Sequence, residues 1–536
     1  MNNFSLWKFS PLAVLLIFTA PLAIVLSSLF GQYTENWSHL YEFVLLDYLS
    51  SSFFLVIGVT VIVLVVGTLT AWIVTNYNFF GKGFFEWALI LPLAIPPYIL
   101  AYTFTGLFDT YGDANNLVRS LFNLDDGVTV FPNIRNIYGA IIVFGFTLYP
   151  YVYLVCRSAF INQSKSMKEA GKLLGLNESQ VFFRLGIPLI RPALIGGLML
   201  VIMETLSDFG AVDHFAVQTF TTGIFRTWYG LYDIQTAMQL ASLLLITVGV
   251  FYMIERNSRS GIYSSSNSTF SPNYEIQLKG TKSSLAFLIC FTPIFIGFLL
   301  PIIELILWAF EVNLAFFSKK FVENSLNTLS LSILTGLICA FLALFINFSV
   351  RLEPKSVIKR MSSLLSIGYA VPGLILAVGM VQLLIYLDSF TTKIDIVLTG
   401  SLVGLVTAYV IKTYALANSS IESGYERISF SIDDSSKLLG SNGWSMLSRI
   451  HAPLLKTSIL TSVLLVMSDV VKELPATLIL RPFNFETLAV STYIYASEER
   501  MLQAAAPAIA IVLVGLIPII LLSKMIRSSR MVQKNV

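Results

Sequence analysis

Four acidic side chains lie inside long apolar runs, at spacings that could place them around one polar path. Glu204 and Asp208 are four residues apart, and Asp469 and Glu473 repeat that spacing in a later run. Residues four apart share one face of a helix, and a charge at the centre of a membrane costs about 2.5–3.5 kcal/mol unless it meets a polar cavity or a partner. Carboxylate oxygens suit hard, highly charged cations. The two pairs are therefore candidate transient ligands for a cation in transit.

Helix geometry predicts the depth of these acids. At about 1.5 Å per residue, Asp208 and Glu473 should lie near the external mouth, with Glu204 and Asp469 about one turn deeper. Two alternatives stay open. Lys472 lies three residues from Asp469 and next to Glu473, so the acids could form structural ion pairs, or they could dock an external partner.

Three other side chains are weaker candidates for the same chemistry. His214 follows Asp213 just beyond an apolar run and could ligate a metal, although a single histidine is more often an ordinary loop residue. Tyr98 and Tyr102 are also at helical spacing and could line a cation path, but packing in the core is the more ordinary role of such a pair.

The elements that must hold these residues are membrane spans. The chain has 536 residues, of which 56% are hydrophobic and 12% charged, whereas a soluble domain carries about 25% charged residues. This composition excludes a soluble enzyme, a nucleic-acid-binding protein and a disordered scaffold. A helix that spans a bilayer needs about 20 apolar residues. Runs of this kind lie near 11–30, 52–75, 87–108, 138–156, 193–212, 237–254, 285–310, 325–349, 362–387, 397–417, 458–478 and 504–523.

These runs predict an all-α polytopic membrane protein with about twelve transmembrane helices. They are uniformly apolar, whereas the strands of a membrane barrel would alternate over about ten residues. Lys and Arg are concentrated in the loops on the side that holds both termini. Because basic loops face the cytoplasm, both termini are predicted to be cytoplasmic.

The chain is also a tandem repeat. Residues 169–190 align without gaps to residues 434–455, with eight identities in 22 positions, where ordinary composition gives about one or two. Continued in the same register, this alignment pairs Glu204 with Asp469, Asp208 with Glu473, Ala211 with Ala476, and Thr222 with Thr487.

The repeat divides the chain into two parallel halves. Pro96 aligns with Pro372 once a longer external loop is allowed in the first half, and these prolines could be hinges or static kinks. The predicted domains are a six-helix half at 1–256, a polar cytoplasmic linker at 257–284 and a second six-helix half at 285–536. A translocation path is expected where the two repeats meet.

The most informative repeated segment is a loop on the cytoplasmic side. Residues 166–188 and 431–453 each predict a short helix, a glycine and a second short helix, and we name them the first and second elbows. Ser166 and Ser431 look like capping-box residues, and Gly175 and Gly440 occupy the place of a left-handed residue after a helix. An amphipathic helix on the lipid headgroups is the alternative, but it leaves the duplication unexplained.

The elbows resemble the coupling loop of binding-protein-dependent ABC importer permeases. The matching positions are Glu169, Ala170, Gly171, Gly175 and Pro188 in the first copy, and Asp434, Ser435, Ser436, Gly440 and Pro453 in the second. The first copy departs from the family's Glu-Ala-Ala at its third position, and the second copy departs at all three. The resemblance implies two MetI-like (type I) permease halves whose elbows dock into two copies of a cytoplasmic ABC ATPase subunit.

A narrower resemblance concerns the substrate. Residues 207–213 and 219–225 are similar to the first half of fused ferric-iron permeases, and residues 472–478 and 480–483 to the second half. This resemblance implies Fe(III) as the substrate, a periplasmic ferric-binding protein as a partner, a bacterial inner membrane and no permanently bound cofactor. Permeases for thiamine, phosphonate or other small solutes share the architecture and stay open as alternatives.

The energy source distinguishes two classes of transporter. The sequence has no G-x-x-x-x-G-K-[S/T] phosphate-binding loop, so the chain is predicted to be no enzyme itself and to depend on ATP used by a partner subunit. An ion-coupled secondary transporter is the less favoured alternative. The acids in the spans would then be proton relays, but the paired elbows would have no role.

Overall fold

A computed structural model describes residues 3–125, 127–161, 175–260, 276–312, 318–352, 362, 364–391, 397–441 and 443–534. Within these ranges the chain is almost entirely helical, as predicted. Two short strands, Tyr77–Asn78 (β1) and Ile276–Gln277 (β2), pair in parallel. They fasten the end of the linker to the end of the second long helix.

The helices of the first half alternate between long spans and short connecting turns. They are α1 Asn3–Ser27, α2 Asn36–His39, α3 Leu45–Asn76, α4 Lys82–Ala88, α5 Pro97–Phe108, α6 Asp113–Phe122, α7 Ile137–Ile161, α8 Glu178–Val181, α9 Ile187–Ser207, α10 Gly210–His214, α11 Phe220–Tyr229 and α12 Ile234–Ser260. Wider π-type turns lie at Leu40–Val44 and Phe182–Gly186, and tighter 3₁₀ turns at Ser28–Phe30 and Leu91–Ala94.

The second half repeats this order. Its helices are α13 Thr281–Ile294, α14 Leu300–Glu311, α15 Lys319–Leu352, α16 Gly373–Thr391, α17 Leu402–Tyr425, α18 Phe430–Leu438, α19 Gly443–Met446, α20 Ala452–Leu454, α21 Lys456–Val471, α22 Pro475–Leu480, α23 Leu488–Ser497 and α24 Met501–Lys534. Its π-type turns are Phe295–Leu299 and Leu447–His451, and its 3₁₀ turn is Ser366–Ala370.

Nine helices in the described ranges are long and apolar enough to cross a membrane, or eleven if each of two bent helix pairs is one span. The predicted number of about twelve transmembrane helices is therefore not reached. The remaining run, 397–417, does form a helix, α17, but polar residues such as Lys412 and Asn418 reduce its apolar character. The bent pairs, at 89° and 77°, fall on the predicted runs 87–108 and 458–478.

Two hydrophobic cores lie side by side, and the halves exchange helices between them. One core joins α3 to α10 of the first half with α13, α14, α23 and α24 of the second. The other joins α15 to α22 with α1 and α12. The first and last spans of each half thus pack in the core of the other half. This exchange holds the two halves together.

The structure repeats several local features at positions that the sequence alignment pairs. The π-type turn Phe182–Gly186 corresponds residue for residue to the turn Leu447–His451. Ser52 accepts a hydrogen bond from the Phe220 amide (3.4 Å), and Thr328, its equivalent in the second half, accepts one from the Leu488 amide (2.8 Å).

One predicted pairing is wrong. Thr219 precedes α11 and Thr487 precedes α23, each as the N-cap, so Thr487 corresponds to Thr219 and not to Thr222. Three additional residues between Ala476 and Thr487 shift the register of the second half at this point.

Candidate functional site

The four predicted acids line one cavity between the two halves. Besides Glu204, Asp208, Asp469 and Glu473, its wall contains Lys412, Lys472, Tyr98, Tyr151 and Tyr369. Several lining positions are equivalent under the repeat, among them Ser207 and Lys472, and Thr147 and Lys412. The cavity is therefore lined by residues of both halves of the chain.

We name Asp208 and Glu473 the outer acids, and Glu204 and Asp469 the inner acids. Neither outer acid lies on the same continuous helix as its inner partner. The helix that carries Glu204 ends at Ser207, and Asp208 is already extended; the helix that carries Asp469 ends at Val471, before Glu473. The prediction of one helical face is wrong for both pairs, because the chain breaks between their members.

Because the helix ends before each outer acid, the carboxylate is free to bond to the backbone of the helix that follows. Asp208 Oδ1 accepts a hydrogen bond from the Ala211 amide (2.8 Å), and Glu473 Oε1 accepts one from the Ala476 amide (3.3 Å). These amides belong to the first turn of α10 and α22, where backbone N–H groups lack helical partners. Each outer acid therefore lies just before the N-cap of a short helix, and a hydrogen bond from the first turn of that helix holds its carboxylate in the wall of the cavity.

The two lysines pair with the acids of the second half. Lys412 Nζ lies 2.5 Å from Glu473 Oε2, and Lys472 Nζ lies 3.3 Å from Asp469 Oδ1. The pairing of Lys472 with Asp469 is the alternative that the sequence left open. Lys412 was not predicted as part of the site, although a lysine in the middle of the apolar run 397–417 was a usable signal.

The broken third spans place backbone beside the acids. Each starts with a 3₁₀ turn and resumes as a helix directly after the aligned proline, at Pro97 or at Gly373. The prolines thus mark helix starts and not kinks inside a helix. A Cβ at Gly373 would clash with Glu473 Oε1 and would lie 3.2 Å from Lys412 Nζ, so the absence of a side chain makes room for this ion pair.

Tyr369 lines both this cavity and a second one. Tyr151 and Tyr369 hydrogen bond to each other, and Tyr369 also lines a cavity of about 400 Å³ on the elbow side. Asn347, Asn418 and Glu422 are among the polar residues of that second cavity. Tyr369, with Tyr151 bonded to it, therefore lies between the acidic cavity and the cavity on the elbow side.

The acids do not form a ready-made metal centre. No cluster of three or more His, Cys, Asp and Glu side chains in the described part of the chain is arranged to hold a metal ion. Two of the four acids are already paired with lysine.

The elbows are described in part. Glu169, Ala170, Gly171 and Ser166 lie outside the described residues. Gly175 and Gly440 have φ values of +75° and +79°, which confirms the predicted left-handed position in both. Asn177 caps α8 through a capping box with Gln180, as predicted for the start of the second short helix.

The second elbow differs from its prediction in one respect. Its first helix, α18, has Ser429 as the N-cap, so the helix begins before Ser431. Asp434 and Ser435 are exposed on it, while Ser436 is buried.

Pro188 lies in the first turn of its span, whereas Pro453 lies in the three-residue helix α20, which is followed by the 77° bend.

A buried ion pair with an adjacent histidine fixes the second elbow. Arg351 Nε lies 2.6 Å from Asp433 Oδ2, and His451 Nε2 lies 3.2 Å from Asp433 Oδ1. Arg351 also donates to the carbonyls of Tyr425, Ile428 and Ser429. We name Arg351, Asp433 and His451 the elbow clamp; it was not predicted from the sequence.

The comparisons with known proteins agree with this architecture. Residues 64–256 match the family described as "Binding-protein-dependent transport system inner membrane component". The first half therefore contains a domain of this family, and the helices that are long and apolar enough to cross a membrane make the chain a multi-pass membrane protein.

Similarity to individual permeases extends over most of the chain. The Fe(3+)-transport system permease protein FbpB 2 of Haemophilus influenzae is 27% identical over 494 residues, covering 89% of this chain and 90% of the relative. The putative ferric transport system permease protein FbpB 1 of the same organism is 23% identical over 72% of this chain and 61% of its own length. A probable sulfate transport system permease protein, cysT of Chlorella vulgaris, is 31% identical over 27% of this chain and 52% of its own length.

Proposed function

We propose that this chain is the transmembrane subunit of an ATP-driven importer that carries Fe(III), delivered by a periplasmic ferric-binding protein, across a bacterial inner membrane. Both termini face the cytoplasm in this proposal. The single observation that carries it is the acidic cavity between the halves. Four carboxylates against two lysines leave its wall with a net negative formal charge.

This charge favours a cation over an oxyanion. A cleft lined mainly by one sign of charge concentrates ions of the opposite sign and repels ions of its own sign. Sulfate and molybdate would have to enter against a net negative wall. Fe(III) is a hard cation that prefers oxygen ligands, and the carboxylates supply them. Similarity to one ferric permease over 89% of this chain and to another over 72% supports the same substrate. The sulfate and molybdenum permeases among the relatives align over about a third of the chain or less.

The elbows are the proposed docking points for two copies of a cytoplasmic ABC ATPase subunit. In the second elbow, Leu438 and Leu439 are 89% and 86% exposed, next to the exposed Asp434 and Ser435. Exposed apolar side chains at the tip of a polar loop are typical of a surface that a partner covers. The clamp holds this tip to the spans, so a movement of the ATPase would be passed to the halves and would part Tyr151 from Tyr369.

Reconstitution tests this proposal. The chain would be placed in proteoliposomes with its ATPase subunit and supplied with binding protein loaded with Fe(III), and the measurements are ATP hydrolysis and labelled iron moved across the bilayer. Parallel samples offer sulfate, molybdate and thiamine with their own binding proteins. We expect only the ferric sample to raise hydrolysis and transport together. Transport of one of the other solutes instead of iron, or iron transport driven by a proton gradient without the ATPase, would overturn the proposal.

A further inference from the structure

A separate pocket lies outside the acidic cavity, on the side of the molecule opposite to the elbows. It measures about 200 Å³, and its polar lining residues include Tyr102, Asp213, His214 and Tyr493. Tyr102 comes from α5 and His214 from α10, both in the first half, whereas Tyr493 comes from α23 in the second. The pocket therefore also lies at the junction of the two halves.

One side chain of this pocket lacks a hydrogen-bond partner. Tyr102 is 2% exposed, and its hydroxyl is buried without a hydrogen bond. A buried hydroxyl without a partner destabilises the fold, and a bound ligand in the pocket would supply the missing partner. Its ring meets the His214 ring edge to face, with centroids 4.7 Å apart.

The neighbouring groups are oriented around the same space. The Tyr493 hydroxyl donates to Asp213 Oδ2 at 2.9 Å. His214 Nε2 lies 2.9 Å from Thr105 Oγ1, which fixes the ring and leaves Nδ1 as the nitrogen for a ligand. Two phenols, one carboxylate and one imidazole therefore converge on one pocket.

We propose that Tyr102, Asp213, His214 and Tyr493 form a receiving site where Fe(III) first binds to the permease. The inference rests on the proposed function and names a second, outer step of it. A hard trivalent cation favours anionic oxygen ligands. On binding, Tyr102 and Tyr493 each release a proton to water, so that two phenolates and one carboxylate balance the three charges of the metal. The phenols supply two oxygen ligands in addition to the Asp213 carboxylate and the His214 imidazole.

The positive charge at the rim of the pocket does not prevent Fe(III) from binding at the receiving site. Arg135 also lines the pocket, but it pairs with Glu499 at 3.4 Å and with Asp109 at 4.0 Å. Its charge is therefore balanced by two carboxylates. The pair with Glu499 joins the external loop of the first half to the second half.

The receiving site leads to the acidic cavity. Tyr98 lies one turn before Tyr102 on α5, with ring centroids 5.8 Å apart, and Tyr98 lines the acidic cavity. A row of two phenols thus connects the outer pocket to the wall that holds Asp208 and Glu473. The iron would pass from the phenol-rich site to the carboxylate-rich one.

The experiment uses the optical signature of iron bound to phenolate. Full-length chain in lipid nanodiscs would be titrated with Fe(III) nitrilotriacetate, and the visible phenolate-to-iron charge-transfer band would be recorded. We expect a band that saturates at one iron per chain and is lost in Tyr102→Phe and in Tyr493→Phe. Tyr495→Phe, on the same helix as Tyr493, is the matched control and should keep the full band.

The phenylalanine variants also separate ligation from packing. Tyr102→Phe keeps the ring and removes a hydroxyl without a hydrogen bond, so the thermal midpoint of unfolding should not fall. A wild-type titration without the band, or a band that persists in both phenylalanine variants, would overturn the receiving site. If iron transport in proteoliposomes succeeds without the band, the receiving site fails while the proposed function stands; if iron does not stimulate transport at all, the proposed function fails.

Discussion

The two halves of the molecule carry their acids at matched positions but their bases in only one half. Glu204 corresponds to Asp469, and Asp208 to Glu473, in one gapless alignment. In the same register, Thr147 stands where the second half has Lys412, and Ser207 where it has Lys472. The repeat thus preserves the carboxylates around the cavity and varies the groups that neutralise them.

This difference divides the acids into two kinds. Asp469 and Glu473 have lysine partners, whereas no lysine or arginine of the described chain lies within ion-pair distance of Glu204 or Asp208. The negative charge that is left over therefore belongs to the first half. A fused chain can hold such an asymmetry, which two identical subunits could not.

The elbows show the same contrast between the halves. The second elbow is held by the clamp of Arg351, Asp433 and His451, whereas Thr75 and Gly186 stand at the first-half positions that correspond to Arg351 and His451. Thr75 only bonds back to the Ala71 carbonyl of its own helix (2.7 Å). The first elbow therefore lacks these two members of the clamp.

The largest expected effect is the loss of the clamp. Arg351→Met leaves Asp433, which is buried, without its closest cation, and breaking a buried ion pair costs about 3–5 kcal/mol. Hydrogen exchange of the amides of Phe430–Leu438 should accelerate by about two orders of magnitude or more, because 1.4 kcal/mol corresponds to a factor of about ten. Thr75→Val is the matched control in the first half and should leave this exchange unchanged; equal rates in the two variants would contradict the clamp.

A smaller effect is expected in the cavity. Lys412→Met removes the partner of Glu473, and we expect a loss of about 2 kcal/mol, below the range for fully buried pairs because the Lys412 side chain keeps 17% exposure. Thermal unfolding in detergent measures it. Thr147→Val, the equivalent change in the first half, should cost less, since Thr147 bonds only to the Val143 carbonyl of its own helix.

A second variant checks that the loss of stability in Lys412→Met comes from the broken ion pair with Glu473. Adding Glu473→Gln to Lys412→Met removes the unpaired charge and should restore part of the lost stability, as a double-mutant cycle detects. No recovery in the double variant would show that Lys412 acts through packing and not through Glu473.

The smallest effect concerns the start of the last span in each half. Asp233 precedes α12, and Arg500 stands at the start of α24 in the second half. Burial raises the pKa of Asp233, but hydrogen bonds from Thr236, Thr34 and Asn36 outweigh it and lower the pKa to about 2. A carboxylate is favourable at a helix N-terminus and an arginine is not, so only the first half gains stability here.

The pH dependence follows from that lowered pKa. The folded value lies below the ordinary aspartate value of about 3.9, so the contribution is complete above about pH 4 and is lost as the pH falls toward 2. Because Asp233 is partly exposed, the contribution should stay below about 1 kcal/mol. Asp233→Asn should remove this part of the acid sensitivity of thermal unfolding, while an unchanged pH profile would show that the cap contributes nothing.

Periodicity and repetition predicted much of this architecture. The apolar runs locate the spans, and the repeat places Glu204 opposite Asp469 and gives Gly175 and Gly440 the same left-handed role. The assumption of unbroken helices failed at Ser207 and Val471, beyond which Asp208 and Glu473 each accept a hydrogen bond from the first turn of a new short helix. A Ser-Asp pair followed by Phe-Gly is a usable signal for such a break.

Other features depend on contacts that a linear pattern does not contain. The ion pair of Lys412 with Glu473 and the hydrogen bond of Tyr151 with Tyr369 join distant segments. Three additional residues after Ala476 also shifted the alignment and led to the wrong partner for Thr487. Local spacing does not reveal such insertions, because each half remains internally consistent.

The central claim is that the unpaired acids of the first half carry the cation. The most direct measurement compares iron uptake by Glu204→Gln with uptake by the double variant Asp469→Asn with Lys472→Met, in the proteoliposome system. The double variant removes a neutral pair and leaves the net charge of the cavity unchanged, whereas Glu204→Gln removes an unpaired charge. We predict that Glu204→Gln lowers uptake by about tenfold or more, equivalent to about 1.4 kcal/mol, while the double variant keeps most of it. Equal losses in both, or unchanged uptake by Glu204→Gln, would contradict the claim.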